Sequence, residues 1–191
     1  MIASQARHDR GASTLLERRS DDDLMQLARD GLGSAFDQLV RRYQAELLRV
    51  AARHLGGRTL APDLAQDTFL RVYGALGRYE GRGAFRAYLH RVLLNQCQMA
   101  RRSAQLSLRA LERSQMPPTS GGPYLLAQER RRDLERALSS LTDKLRVVVL
   151  LRYWGDLDYE EIAEILAVPL GTVKRRLFDA MAKLRELVEP R

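Results

Sequence analysis

The stretch Tyr159–Leu184, YEEIAEILAVPLGTVKRRLFDAMAKL, carries two helical periods separated by a short break. Ile162, Ala163 and Leu166 share one face of the first period, and Val173, Leu177, Met181 and Leu184 share one face of the second. Two such faces can pack on each other, with the small Ala163 where the backbones approach. Ala167-Val168-Pro169 interrupts the pattern over the few residues that a helix-turn-helix allows. Charge divides in the same way: Asp156, Asp158, Glu160, Glu161 and Glu164 lie at or before the first helix, and Lys174, Arg175, Arg176, Lys183 and Arg185 load the second. A basic second helix suits the DNA major groove, where phosphate contacts supply affinity and residues near the helix start reach base edges. The plainer reading is an αα-hairpin with a solvated basic face.

Outward from this segment, 191 residues and 45% hydrophobic content allow one or two compact domains with real cores. The longest aliphatic run, Val147–Leu151, is far shorter than a membrane span, and Met1–Ser20 has no apolar stretch like that of a signal peptide. A cytoplasmic protein is expected. Cys97 is the single cysteine, so no internal disulfide forms, and its expected role is packing. The net charge of +8 points to a polyanionic partner. Between Glu80 and Glu112 there is no acidic residue, whereas Arg82, Arg86, Arg91, Arg101, Arg102 and Arg109 accumulate there.

Residues 1–20 are polar and aperiodic and read as a mobile tail. Ser20 precedes Asp21, Asp22 and Asp23, a capping and dipole signature for a helix containing Leu24, Leu27 and Ala28. Gly31 and Gly33 end it, and Ser34 is placed to cap the next helix, in which Phe36, Leu39, Val40, Tyr43, Leu47 and Val50 recur until Gly56-Gly57. Pro62 suits the first turn of a third helix with Ala65, Phe69, Val72 and Leu76 as its buried stripe. A fourth helix, from about Ala84 to Ser103, places Phe85, Tyr88, Leu89, Val92, Leu93, Gln96, Cys97 and Ala100 on an apolar half. Arg86, His90, Arg91, Asn95, Gln98, Arg101 and Arg102 occupy the other half, a set suited to phosphates and base edges. Tyr79, Phe85 and Tyr88 offer rings for stacking an unpaired base, although Phe85 falls on the core side.

Residues 105–124 lose periodicity and gather Pro, Ser and Gly, which reads as a flexible linker. A helix from Leu125 to Leu138 follows, and Thr142 or Asp143 caps another containing Leu145, Val148, Val149 and Tyr153, ended by Gly155. The fold class is therefore all-α, with two small helical domains at 21–104 and 125–191. No catalytic residues, metal or cofactor are expected. His8, His54 and His90 lack partners at ligand spacing, and the paired glycines lack the rest of a nucleotide loop.

Two DNA-directed surfaces on separate helical domains resemble the extracytoplasmic-function (ECF) sigma factors of the sigma-70 superfamily. AFDQLVRRYQAELLRVAARHL is similar to the first part of sigma region 2, and DLAQDTFLRVYGAL, Asp63–Leu76, to its polymerase core-binding motif. FRAYLHRVLLNQCQMARR resembles the promoter-melting and minus-ten helix, and LTDKLRVVVLLRYWGDLDYEEIAEILAVPLGTVKRRLFDAMAKL resembles region 4. The resemblance implies that Asp63, Leu64, Gln66, Asp67, Phe69 and Leu70 dock on the clamp coiled coil of the RNA polymerase core, with the flap as a second contact. It implies that Tyr79–Phe85 holds a flipped minus-ten base, with Arg86, Arg91, Asn95, Gln98 and Arg102 near promoter DNA. Thr172, Lys174, Arg175 and Arg176 would read the minus-thirty-five element. An anti-sigma factor is an expected partner of this family.

Three positions depart from the family pattern: Tyr88 in place of a common tryptophan, Met99 in place of Asp or Asn, and Ala167 in place of the turn glycine. The resemblance implies a left-handed residue at that turn, and an alanine held at positive φ costs about 1 kcal/mol. The competing reading is a stand-alone helix-turn-helix regulator of duplex DNA, which has no need for an acid-free basic helix beside a docking face. A polymerase-binding decoy without promoter DNA leaves both basic faces unexplained.

Overall fold

The computed structural model describes residues 15–56, 59–81, 83–112 and 125–188. The helices are α1 (Asp21–Arg29), α2 (Gly33–Leu55), α3 (Ala61–Gly74), α4 (Phe85–Glu112), α5 (Leu125–Ser140), α6 (Asp143–Tyr153), α7 (Tyr159–Leu166) and α8 (Leu170–Val188), with a 3-10 turn at Leu76–Arg78. No strand occurs among the described residues. The all-α expectation holds. Residues 1–14, most of the expected tail, and 113–124, most of the expected linker, lie outside the described residues.

The N-terminal bundle starts as its sequence suggests, because Ser20 Oγ accepts a hydrogen bond from Asp23 N at 3.1 Å. The aspartates then do more than cap. Asp21 binds both Arg42 and the Tyr43 hydroxyl. Asp22 accepts from the Tyr79 hydroxyl and from Gly83 N, each at 2.6 Å, and so ties the loop before α4 to the start of α1. Ser34 does not cap α2: the helix begins two residues earlier than such a cap would place it, at Gly33, with Leu32 at the N-cap position and no side-chain bond there. Gly56 ends α2 in the left-handed conformation, φ 72°, which glycine adopts without a Cβ penalty. Pro62 occupies the first turn of α3, where its missing N–H costs nothing.

The predicted stripe Ala65, Phe69, Val72 and Leu76 is buried and meets Phe36, Leu39, Leu47 and Val50 of α2. Leu89, Leu93 and Cys97 of α4 close this first core. Burial without a polar partner pushes the Cys97 thiol up to about 12, so it stays protonated and acts as a small apolar side chain.

In the C-terminal domain, α6 is apolar on almost every side, and Val147 to Leu151 are all buried. Ile162 and Ile165 of α7 and Val173, Leu177 and Ala180 of α8 pack around it. Met181, expected to be buried, is 40% exposed, and Ala180 takes its place. Seven residues after Val173 rather than eight, alanine points at α6 where a longer side chain would hold the helices apart.

The two domains pack together, and α4 is the shared element. Phe85, Leu89, Leu93 and Cys97 face the first core, while Ala87 and Leu94 are buried in the second. Trp154 touches both cores. Its carbonyl accepts from Arg49 Nε at 3.4 Å, and the Arg53 guanidinium lies 4.7 Å from its ring centre. The α4 helix also continues past the expected end at Ser103 to Glu112.

Candidate nucleic-acid and polymerase interfaces

The first candidate surface lies along α2 and α3. A groove of about 710 Å³ runs between them, and among its walls are Val40, Gln44, Leu48, Gln66, Leu70 and Tyr73. Leu70 is 61% exposed and Tyr73 50% exposed, so this is apolar surface held open to solvent. Of the residues expected to dock, Asp63, Gln66 and Leu70 are exposed, Leu64 and Asp67 are half-buried, and Phe69 lies in the core. The Phe69 ring meets Phe36 edge-on at 6.4 Å, so it shapes the groove floor rather than its rim. Asp67 receives Arg71 Nε at 2.7 Å, one turn further along the helix. Leu48 and Tyr73 escaped sequence reasoning. Their signal is apolar residues off the buried stripe on two neighbouring helices.

The second surface surrounds the start of α4. Tyr79 and Tyr88 stand 5.7 Å apart, tilted by 42°, beside an open pocket of about 560 Å³ whose walls include Arg78, Gly81 and Arg91. Phe85 is buried and braces Tyr79 edge-on at 5.9 Å, as its place on the apolar half implies. Burial and then the hydrogen bond to Asp22 push the Tyr79 hydroxyl well above the usual tyrosine range, so it remains a neutral donor. An exposed carboxylate from the other domain, Glu164, forms part of the same pocket wall.

Arg86 and Arg91 are not free for DNA in this arrangement. Arg86 Nη1 donates to Glu161 at 2.6 Å, Nη2 donates to the carbonyls of Gly155 and Asp156 at 3.0 and 3.4 Å, and Nε donates to Glu46 at 3.1 Å. Arg91 donates to the carbonyls of Glu164 and Ile165 at 3.0 and 3.3 Å, a cation on the negative end of α7. His90, read from the sequence as part of the polar half, is fully buried, with Nδ1 3.0 Å from the Arg86 carbonyl and Nε2 3.1 Å from Glu46. Burial alone would raise the Glu46 pKa. His90 and Arg86 outweigh it and hold the carboxyl below its usual range. Asn95 and Arg102 are exposed and Gln98 half-buried further along the helix.

The third surface is α8. Asp158 Oδ1 accepts from Glu161 N at 2.7 Å while Glu161 Oε2 accepts from Asp158 N at 2.8 Å, a full capping box that fixes the start of α7. The turn to α8 runs through Ala167 at φ 50° and ψ 49°, the left-handed conformation expected there, with Val168 N donating to the Ala163 carbonyl at 3.0 Å. Asp156 shares the positive φ, at 49°, which nothing in its neighbourhood announced. Lys174 and Arg175 are exposed on α8 and Thr172 and Arg176 half-buried, so all four line the outer side of its first turns. Phe178, 76% exposed, adds an apolar ring to that side.

Among the described residues no group of His, Cys, Asp and Glu could hold a metal ion, and no helix is long and apolar enough to cross a membrane. The N-terminal four-helix domain thus bears an aromatic pocket and a basic helix, and a helix-turn-helix domain follows it. Residues 39–106 match the model of sigma-70 region 2 and residues 131–184 that of sigma-70 region 4. The ECF RNA polymerase sigma-E factor of Escherichia coli K12 is 31% identical over 188 residues, 91% of this chain and 97% of the relative. The solved structure of CnrH in complex with the cytosolic domain of CnrY superposes with a TM-score of 0.67 at 28% identity, covering 89% of this chain and 97% of that one. The sigma factor RpoE of Bartonella quintana, solved with the anti-sigma factor NepR, gives a TM-score of 0.63 at 23% identity over 80% of this chain and 96% of that one. The chain belongs to the ECF sigma factors of RNA polymerase.

Proposed function

We propose that this sigma factor joins the bacterial RNA polymerase core and directs initiation at promoters by contacting the minus-ten element with residues 21–104 and the minus-thirty-five element with residues 125–191. The observation that carries the reading is the Tyr79–Tyr88 pocket opening beside a basic helix that has no acidic residue before Glu112, in a chain whose other domain presents Lys174 and Arg175 outward. A base flipped out of the duplex stacks on such rings, each contact worth about 1 to 3 kcal/mol, which offsets strand separation without ATP. Chemistry plays no part. The protein acts by binding, in the cytoplasm where the polymerase works.

The α2–α3 groove gives the polymerase clamp an apolar seat, with Leu70 and Tyr73 as anchors, Asp37 in its wall and Asp63 and Asp67 further round α3. Arg86 and Arg91 reach promoter phosphates only after leaving Glu161 and the α7 carbonyls. Promoter engagement on this reading exchanges interdomain partners for DNA, and the two domains separate. An anti-sigma factor that favours the packed form holds the chain inactive; the Bartonella quintana relative was solved with such a partner.

Run-off transcription with purified core polymerase on genomic fragments tests the reading. The chain is expected to bind core and start transcripts at defined sites, and Asp67→Arg to abolish both. A chain that neither binds core nor directs initiation, or an Asp67→Arg variant indistinguishable from wild type, refutes it.

A further inference from the structure

The loop that carries the tyrosine pocket contains residues with little shape of their own. Gly81 and Gly83 both sit at positive φ, 55° and 69°, a region that glycine enters as readily as the ordinary one. Local preference gives such a segment no fixed form, so the form has to be imposed from outside. Two side chains of α1 impose it. Asp22 Oδ1 accepts from the Tyr79 hydroxyl and Oδ2 from Gly83 N, each at 2.6 Å, and the Arg29 guanidinium donates to the Tyr79 carbonyl. Asp22 and Arg29 are two helical turns apart and therefore lie on one face of α1. Gly81 passes close by, since a Cβ there would lie 3.7 Å from Asp22 Oδ2.

Capping does not account for these contacts. An acidic residue in a first helical turn needs only to be near the helix end, whereas Asp22 meets groups 57 and 61 residues further along the chain. Its neighbours are engaged elsewhere: Asp21 holds Arg42 and Tyr43 of α2, and Asp23 is exposed and gives its backbone N–H to Ser20. Attraction to DNA does not account for them either. A carboxylate repels phosphate, and Asp22 is not part of the pocket wall, whose acidic members are Glu80 and Glu164. What Asp22 controls is the shape of the loop. Phe85 and Tyr88 pack against the Tyr79 ring at 5.9 and 5.7 Å, and the bonds from α1 hold the same residue at its hydroxyl and its carbonyl.

We propose that Asp22 is a positioning residue for promoter opening: by holding Tyr79 and Gly83 it keeps the loop in the form that receives an unpaired minus-ten base, without touching DNA itself. This rests on the reading of the tyrosine pocket given above. A loop already held in its binding form loses less freedom when the base enters, so capture is stronger and strand separation is better offset. Helix α1, none of whose side chains is among the proposed DNA or polymerase contacts, thereby takes part in initiation.

The test uses core polymerase with the full chain on a duplex fragment whose start site has been mapped with the wild-type protein, and on the same fragment with mismatched, permanently open minus-ten strands. Asp22→Ala should slow open-complex formation on the duplex about tenfold, as loss of two hydrogen bonds to a carboxylate implies. On the open fragment strand separation is already supplied, and the deficit should shrink to within about threefold. Abasic nucleotides at successive minus-ten positions give a readout that a merely structural role would not move. At the captured base the abasic site should slow the wild type and leave Asp22→Ala unchanged, because residue and base act through one contact. Asp22→Asn retains an acceptor for Gly83 N, and its amide can donate to the Tyr79 hydroxyl, so it should recover to within about threefold of wild type. Tyr79→Phe keeps the ring and loses the hydroxyl. It should also be slowed on the duplex, and the double variant Asp22→Ala/Tyr79→Phe should be no slower than Asp22→Ala.

Asp23→Ala removes the same charge from the adjacent exposed position and should match the wild type. Circular dichroism and a core-binding titration check each fold, and Tyr79→Phe and Asp22→Asn remain decisive if Asp22→Ala does not fold. The proposal is overturned if Asp22→Ala or Tyr79→Phe matches the wild type on the duplex, or if the deficit is as large on the open fragment. It is equally overturned by an abasic effect that persists in Asp22→Ala, by Asp22→Asn as slow as Asp22→Ala, or by an equal deficit in Asp23→Ala. Each of these leaves the transcriptional reading standing. A wild-type chain that starts no transcript removes that reading, and this proposal with it.

Discussion

Glu161 holds two donors on its two oxygens: Oε2 takes the Asp158 backbone N–H of the capping box, and Oε1 takes Arg86 at 2.6 Å. Glutamine offers one acceptor instead of two. In Glu161→Gln that acceptor serves the local cap, since Gln is as competent as Glu there, and the amide NH₂ turns toward Arg86, which is itself only a donor. The interdomain bond is lost while α7 stays formed. The Arg86 and Glu161 side chains are 29% and 34% exposed. That places the pair between an exposed ion pair and a charged hydrogen bond, at about 1 kcal/mol. The ratio of separated to packed molecules should therefore rise about fivefold. Dyes attached at Ser34→Cys and Lys183→Cys report that ratio by single-molecule energy transfer, since Cys97 is buried and its raised pKa keeps it unreactive. Glu160→Gln removes the same charge from an exposed neighbour and should leave the distribution unchanged. If Glu161→Gln also leaves it unchanged, or Glu160→Gln opens the chain equally, Arg86 does not hold the domains together.

Three further outcomes are open to direct measurement. Ala167→Gly relieves a left-handed alanine worth about 1 to 2 kcal/mol but makes the unfolded chain more flexible, for a net stabilisation of about 0.5 kcal/mol and a Tm higher by about 3 °C; an unchanged or lower Tm contradicts a strained turn. His54 has a folded pKa of about 4, below its ordinary value near 6.5, so the unfolded chain binds the extra proton and stability falls as pH drops from about 6.5 toward 4. That loss approaches about 3 kcal/mol, with Glu46 adding to it at the acid end, and chemical denaturation of His54→Gln across the same window should show a shallower slope. Leu70→Asp changes a side chain that is 61% exposed, so stability should hold within about 0.5 kcal/mol while affinity for core polymerase drops about tenfold or more in a pull-down titration.

Helix periodicity, caps and breakers made the architecture legible, because each domain's core is built from local helices whose stripes are visible in one sequence. The stripe of α3, the Ser20 cap and the Gly56 stop are local facts and were read correctly, whereas the left-handed Ala167 was expected only from the family's glycine at that turn. The packing between domains was not local. Ala87 and Leu94 form a second apolar stripe at a spacing of seven residues, embedded in what reads as the polar half of α4, and His90 lies beside them. A helix with two stripes is a helix between two cores, and the interruption by Arg86 and Arg91 hid the second one. Those arginines illustrate why residue type alone misleads. Guanidinium matches carboxylates, helix-end carbonyls and phosphates equally well, and only the fold decides which it meets. The triple aspartate posed the same problem, since capping explains its position while Tyr79, Gly83, Arg42 and Tyr43 explain its length.

The double engagement of Arg86 and Arg91 bears on how this protein would be dissected by mutation. If each arginine bonds α7 and its flanking carbonyls in the packed chain and phosphate in the promoter complex, truncating it weakens the starting state along with the final one. A binding titration records only the difference. Arg91→Ala could then leave promoter affinity nearly unaltered while both underlying contacts vanish, and an alanine survey would score as neutral the side chains that link the protein's two states. Measuring each variant twice, once as the intact chain and once with the domains held apart by a crosslinked spacer, would separate the two losses.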